Sequence, residues 1–134
     1  MDKNNCIFCK IIKKEIEASI IYEDEKSLVF LDIKPVTKGH SLLIPKVHYE
    51  WIHETPDEII AESFIKANKI IKAMRKGLDC DYVQVVVVGK DVPHLHIHLI
   101  PRYLSDESIV FQTTNYENED ETLSYSTKIK NALL

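Results

Sequence analysis

The sequence predicts an α+β fold: an antiparallel sheet of about five strands, on the usual sheet sizes, with one long helix and short helices towards the termini. Three stretches carry that reading. Residues 92–101, VPHLHIHLIP, alternate histidines with large aliphatic side chains, the period-two signature of a half-buried strand. On such a strand His94, His96 and His98 share one face, while Leu95, Ile97 and Leu99 face the core. Residues 81–88, DYVQVVVV, are a β-branched run joined to the histidine strand by Gly89, Lys90 and Asp91 alone, so the two should pair antiparallel. Residues 55–77 instead place apolar side chains at helical spacing.

Taken in order, the chain opens on Cys6-Ile7-Phe8-Cys9. This C-x-x-C spacing suits half of a tetrahedral zinc site or a redox dithiol, and is also compatible with coincidence. A thioredoxin-like dithiol would follow a strand and open a long helix, whereas this pair sits near the start of the chain. Residues 19–23 and 27–32 read as short strands, with Asp24, Glu25 and Lys26 turning between them. Residues 33–39 form a connection carrying Pro35 and Gly39. Residues 40–44 resume strand character, and Pro45 ends it. Asp32, closing the strand Leu-Val-Phe-Leu, suits either a turn or a ligand contact.

For the long helix, Thr55 is a capping residue, Pro56 fits the first turn and Glu58 completes a capping box. Ile60, Phe64, Ala67, Ile71 and Met74 make one apolar stripe. Lys72, Arg75 and Lys76 favour the helix dipole at the far end, where Gly77 supplies the stop. The run 81–88 is expected to be covered on both faces. Pro93 and Pro101 suit the ends of the histidine strand, since neither can donate to a ladder. From 103 to 127 there is no basic residue, while Asp106, Glu107, Glu117, Glu119, Asp120 and Glu121 accumulate, as in a segment that is mobile or wraps the surface. A short helix is expected over 124–134. The whole, 1–134, reads as one domain with a core at 6–103 and an acidic extension at 104–134.

The net charge of −4 argues against a general nucleic-acid binder, which needs a basic face. No apolar run approaches a membrane span, and the start MDKNNC has no apolar region of a secretory signal. Three cysteines, an odd number without an export signal, speak against a disulfide framework and for a reduced cytoplasmic home, or a nuclear one in a eukaryote.

The histidine row admits three chemistries. A neutral imidazole, with a reference pKa of about 6.5, can attack phosphorus and hold the transferred group as a phosphoramidate, its neighbours binding the phosphate oxygens. Alternatively, two or three of the histidines ligate a catalytic zinc with an open position for water. Finally, histidines and cysteines can form a purely structural zinc site in a binding module without catalysis. Spacing does not choose among them. Same-face neighbours on a strand stand about 6.6 Å apart, a row and not a cluster.

The chain resembles the histidine triad (HIT) family of nucleotide-binding hydrolases and transferases. The resemblance rests on His94-Leu-His96-Ile-His98-Leu-Ile, on Cys6-Ile-Phe-Cys9-Lys-Ile-Ile, on Phe30-Leu-Asp32-Ile33-Lys-Pro, and on Gly39-His40-Ser-Leu-Leu-Ile-Pro45-Lys-Val-His48, in the family's order. It implies a HIT-like fold. It implies that His96 is the nucleophile taking up a nucleoside monophosphate, that His98 hydrogen-bonds the phosphate or leaving group, and that His40 supports this network. Phe8, Ile11, Phe30 and Ile33 match positions enclosing the base, and Asp32 matches the carboxylate that accepts from the ribose hydroxyls. In the branch with N-terminal cysteines the resemblance implies a structural Zn2+ on Cys6, Cys9, His48 and His94. It leaves His53 a surface residue and Cys80 a buried thiol. The departure lies just before the triad, where relatives carry an Asn and a longer loop. Here Gly89, Lys90, Asp91 and Val92 follow the valine run directly, with Lys90 in place of Gln, and are the groups expected to meet phosphate. The activity implied is hydrolysis of a purine nucleoside monophosphate, foremost AMP, from a phosphoramidate, ester or dinucleoside polyphosphate. Homodimerisation through the long helix and the 81–88 region is implied as well.

Overall fold

A computed structural model describes residues 5–106 and 111–133; Glu107 and Leu134, counted above with the C-terminal extension and its helix, lie outside them. The elements are α1 (Ile7–Ile12), β1 (Ile20–Glu23), β2 (Ser27–Leu31), β3 (Ser41–Pro45), α2 (Asp57–Leu78), β4 (Tyr82–Val86), β5 (Ile97–Arg102) and α3 (Glu119–Ala132), with a 3-10 turn at Ile52–Glu54. The five strands form one antiparallel sheet in the order β1-β2-β3-β5-β4, as expected in strand number and pairing sense.

Alternation along the strands builds two cores. Leu28, Phe30, Leu42 and Ile44 point to the face covered by α1, where they pack on Phe8, Cys9 and Ile11. Val29, Leu43, Ile97 and Leu99 point the other way, onto Ala67, Ile70 and Met74 of α2. His98 pairs in register with Leu42, which sets its ring on the α1 face. The β1–β2 turn is closed by Asp24, whose Oδ1 accepts from the backbone N–H groups of Lys26 and Ser27 at 2.9 and 2.8 Å. Its other oxygen meets the Lys66 ammonium of α2 and the Tyr22 hydroxyl, so the hairpin is tied to the helix. The Lys66 contact, foremost, holds the Asp24 carboxyl well below the usual carboxylate range.

Several local expectations are corrected. Thr55 does not cap α2: its hydroxyl donates to the Trp51 carbonyl at 2.8 Å, Pro56 occupies the N-cap, and no side chain closes a capping box. The buried stripe of α2 is Ser63, Ala67, Ile70 and Met74. It is rotated from the expected line, so Phe64 faces outward at 39% exposure. Gly77 stays helical, and the stop is Asp79, which takes the left-handed conformation at φ 55°. The valine-rich β4 is an edge strand with no buried residue, not a strand covered on both faces. Only His98 of the triad lies on regular β5; residues 92–96 approach it outside the ladder, with Leu95 donating to the Tyr49 carbonyl at 2.6 Å. Pro101 lies inside β5, opposite Val83, where β3 has already ended and no donor is needed; its carbonyl accepts from the Thr37 hydroxyl at 2.7 Å. The C-terminal helix starts at Glu119, earlier than expected, because Asn118 caps it by accepting from the Glu121 N–H at 2.9 Å. The acidic cluster thus becomes a favourable first helical turn.

Candidate active site and metal centre

The triad histidines divide at the level of ring nitrogens. His96 Nδ1 lies 2.7 Å from the carbonyl of His94, which can only accept, so Nδ1 carries the proton and Nε2 keeps its lone pair. At His40 the Val36 N–H donates to Nδ1 at 3.0 Å, which places the ring proton on Nε2. That Nε2–H donates to His98 Nδ1 at 2.9 Å, leaving His98 with its own proton on Nε2. A backbone donor in the 33–39 connection therefore orders two imidazoles in sequence. Burial, foremost, pushes His40 below its ordinary pKa of 6.5, against the pull of Asp32. Burial likewise lowers His98, helped by His96 and His40 and opposed by Asp32 and Asp91. The ring centroids of His96 and His98 are 4.9 Å apart, a closer pair than strand spacing predicts, because His96 precedes the regular strand.

These rings border a cavity of about 260 Å3 on the α1 face. Of the residues singled out in the sequence, Phe8, Ile11, Phe30, Asp32, Ile33, Asp91, Val92, His96 and His98 line it. Phe8 joins the apolar wall to the histidines, its ring 5.5 Å from Phe30 and 5.1 Å from His96 in edge contacts. Asp32 does two things: Oδ1 accepts from the Lys34 N–H at 2.9 Å, forming a turn, while Oδ2 faces His40 Nε2 at 3.7 Å. Gly89 and Lys90 do not line the cavity. Gly89 takes φ +88° against the Trp51 ring, where a Cβ would sit 3.2 Å from it. The lining also includes Ile7, Ile16, Glu17, Ala18, Leu31 and Leu42, which sequence reasoning missed. Leu31 and Leu42 were legible only as strand residues, and 16–18 carried no signal.

A second cluster stands behind the triad. Cys6 Sγ and Cys9 Sγ lie 3.4 and 3.6 Å from His94 Nδ1, Cys9 Sγ lies 3.3 Å from His48 Nδ1, and the two Nδ1 atoms are 3.2 Å apart. Zinc bonds of about 2.0–2.1 Å to nitrogen and about 2.3 Å to sulfur imply tetrahedral edges of roughly 3.3–3.8 Å. The observed spacings lie within about 0.3 Å of the edges expected for their atom pairs, and a Cys2His2 donor set is one zinc favours. The four residues expected to ligate are therefore brought together and fit a tetrahedral ion. His94 Nε2 donates to the Pro45 carbonyl at 2.9 Å, fixing the tautomer that aims Nδ1 into the cluster. Burial pushes the His94 pKa down to about 4, so its ring is neutral and ready to ligate. Cys6 Sγ accepts from the Cys9 N–H at 3.4 Å. His53 is on the surface, and Cys80 is buried outside any disulfide, both as expected.

A family model described as the HIT domain matches residues 13–105. The chain belongs to the HIT family. An uncharacterized HIT-like protein of Methanocaldococcus jannaschii is 47% identical over 110 residues, spanning 78% of this chain and 84% of the relative. An adenosine 5'-monophosphoramidase of Saccharomyces cerevisiae is 40% identical over 102 residues, 72% of this chain and 62% of the yeast protein. Among solved structures, a Streptococcus mutans protein superposes with a TM-score of 0.88 at 33% identity, covering 99% of this chain and 88% of its own. A zinc-bound histidine triad family protein from Mycobacterium smegmatis superposes at 0.76 and 33% identity over 98% and 99% of the two chains. The HIT fold inferred from the triad and its supporting motifs is thus the observed one. Among the described residues, no helix is long and apolar enough to cross a membrane.

Proposed function

We propose that this HIT protein hydrolyses a purine nucleoside monophosphate, foremost AMP, from an amine, ester or second nucleotide through a nucleotidyl-histidine intermediate. The observation carrying the reading is the tautomer order: His96 offers an Nε2 lone pair and His98 an Nε2–H donor on one cavity wall. The yeast relative's name, an adenosine 5'-monophosphoramidase, supports the substrate class. Phe8, Ile11, Phe30 and Ile33 enclose the base, and Asp32 accepts from the ribose hydroxyls. His96 Nε2 attacks the α-phosphorus; an N–P bond forms as the bond to the leaving group breaks. His98 donates from Nε2 to the phosphate or leaving atom, where negative charge grows, passing its proton to the departing group, and His40 holds it in that tautomer. Water then attacks phosphorus and returns a proton to His98 Nε2, the N–P bond breaks, and His96 recovers its lone pair as the nucleoside monophosphate leaves.

Cys6, Cys9, His48 and His94 would hold Zn2+, whose contribution there is to cross-link the chain. Four protein ligands leave no open coordination position, which favours this reading over a catalytic zinc. Asp32, His40 and His98 also gather their ligand atoms within 4.8 Å, but His40 Nε2 carries a proton already committed to His98. The whole chain is read as one domain. A homodimer is supported by apolar side chains on the outer face of α2 and on and beside β4: Phe64, Ile65, Tyr82, Val85 and Val88 are all at least 38% exposed. The decisive experiment is a quench into alkaline denaturant, where a histidine N–P bond survives, after mixing with α-32P-labelled adenosine phosphoramidate. Label bound to protein and mapped to His96 is the expected result; turnover with no labelled protein at any quench time would refute the intermediate.

Two further outcomes follow from this geometry. His40 and His98 are both held below 6.5 and work as neutral rings. Their folded state therefore binds fewer protons, so the neutral relay persists at 6.5 and is lost only as pH falls through the lowered folded values of the two rings. The kcat/KM profile should be flat near neutrality with an acid limb displaced below 6.5. Asp32→Asn keeps the Oδ1 acceptor for Lys34 but removes the charge. It should raise KM about tenfold, equivalent to about 1.4 kcal/mol, and shift the acid limb further down, because Asp32 raises both histidines. A 2',3'-dideoxy substrate should show no such KM penalty in the variant.

A further inference from the structure

The sheet face that carries α2 is only partly covered. α2 lies over β3, β5 and β4, and beside its C-terminal half a groove of about 640 Å3 opens towards β1 and the end of β2. Its walls are apolar: Ile21, Leu31, Ile70, Met74 and Leu78 line it. Lys38 and Lys69 supply its positive charge. Ile21 is 47% exposed and Leu78 42%, large aliphatic surface left to solvent by a single chain.

The same chain carries a helix with the opposite character. α3 has 14 residues and none of them is buried. Tyr125, Ile129 and Leu133 recur every fourth position, which puts them on one stripe, and Ile129 is 63% exposed. The first turn carries Glu119, Asp120 and Glu121. A helix this short draws most of its stability from packing one face, not from propensity. Helix and groove are complementary in both apolar surface and charge, and a single chain leaves both open.

We infer that α3 of one chain docks in this groove on a second copy, with the Tyr125–Ile129–Leu133 stripe on Ile70, Met74 and Ile21 and the acidic first turn towards Lys38 and Lys69. The inference rests on the homodimer reading and deepens it. Two-fold symmetry then fills both grooves and covers both helices at once. The exchange makes the C-terminal extension part of the assembly and not a solvated tail.

The test places a photo-crosslinker at the centre of the stripe. Protein of natural isotope content carrying Ile129→p-benzoylphenylalanine is mixed with unmodified 15N-labelled protein, diluted, reconcentrated and irradiated. The oligomer mass is measured by light scattering at the same concentration. The expected result is a dimer whose cross-links join position 129 to residues 69–78 or 21–31 of the 15N chain. Ile21→Glu in the 15N chain should remove most of them while leaving phosphoramidate turnover unchanged. A dimer cross-linked only within one chain, or outside the groove, overturns the exchange and leaves the homodimer standing; a monomer overturns both. Hydrogen exchange on the unmodified protein guards against a defect of the labelled variant. Protection of α3 amides should fall on dilution together with the dimer, and protection independent of concentration would place the helix on its own chain and refute the exchange.

Discussion

His96→Ala is expected to lower kcat by at least about a thousandfold, roughly 4 kcal/mol of transition-state stabilisation, while nucleotide binding persists. The separation of the two effects follows from where the ring sits. His96 touches the cavity through its edge contact with Phe8 at 5.1 Å, but Phe8, Ile11, Phe30 and Asp32 line the cavity without it. Truncation removes the lone pair that attacks phosphorus and leaves the base and ribose contacts. Calorimetry with AMP should give an affinity close to that of the parent, and the alkaline-quench experiment should give no labelled protein. Because water alone must then attack, the remaining turnover should show no burst. His98→Ala removes a donor and leaves the nucleophile, so its expected loss is smaller, about a hundredfold, and it should still form labelled protein slowly. If His96→Ala became labelled, or lost less activity than His98→Ala, the roles of the two rings would have to be exchanged.

Much of this arrangement was legible in the residues, and the illegible part has a common cause. Alternation placed Leu95, Ile97 and Leu99 in the core, and the expected antiparallel pairing of β4 with β5 holds, although residues 87–96 connect them and not a tight loop at 89–91. Residues 82–86 were misjudged because composition reports side-chain preference and not the number of neighbouring strands; an edge strand can be as β-branched as a central one. The face of α2 was misjudged because Ser63, a small polar residue, is buried while Phe64 faces outward. At the site, spacing identified the three histidines but treated them as equivalent. Their roles depend on backbone groups distant in sequence: the Pro45 carbonyl at His94 and the Val36 N–H acting through His40 on His98. Such contacts exist only once β3 and β5 are side by side. His48 was distinguishable from His53 by family resemblance alone, and the cluster gives the physical reason: His48 reaches the two cysteines, while His53 is solvent-exposed.

Removal of zinc is expected to cost fold and activity together. The proposed ligands come from the N-cap of α1, from α1 itself, from the segment after β3 and from the approach to β5, so one ion would join four stretches distant in sequence. Without it Cys6, Cys9 and His94 remain buried with no cation to share, and a structural zinc of this kind is worth on the order of 10 kcal/mol in small domains. Even about a third of that would lower Tm by roughly ten degrees in a chain of this size. The link to catalysis runs through the backbone: the carbonyl that fixes the His96 tautomer belongs to His94. A shift of His94 therefore frees His96 Nδ1 and lets the ring turn its proton towards the phosphate. Cys9→Ser should lose bound metal, Tm and kcat in parallel, and added Zn2+ should restore all three to chelated parent protein but not to the variant. A catalytic zinc predicts the opposite pattern, an inactive protein with an unchanged Tm. Measuring Tm and turnover on the same chelated sample therefore decides whether the first triad histidine anchors the nucleophile or shares its chemistry.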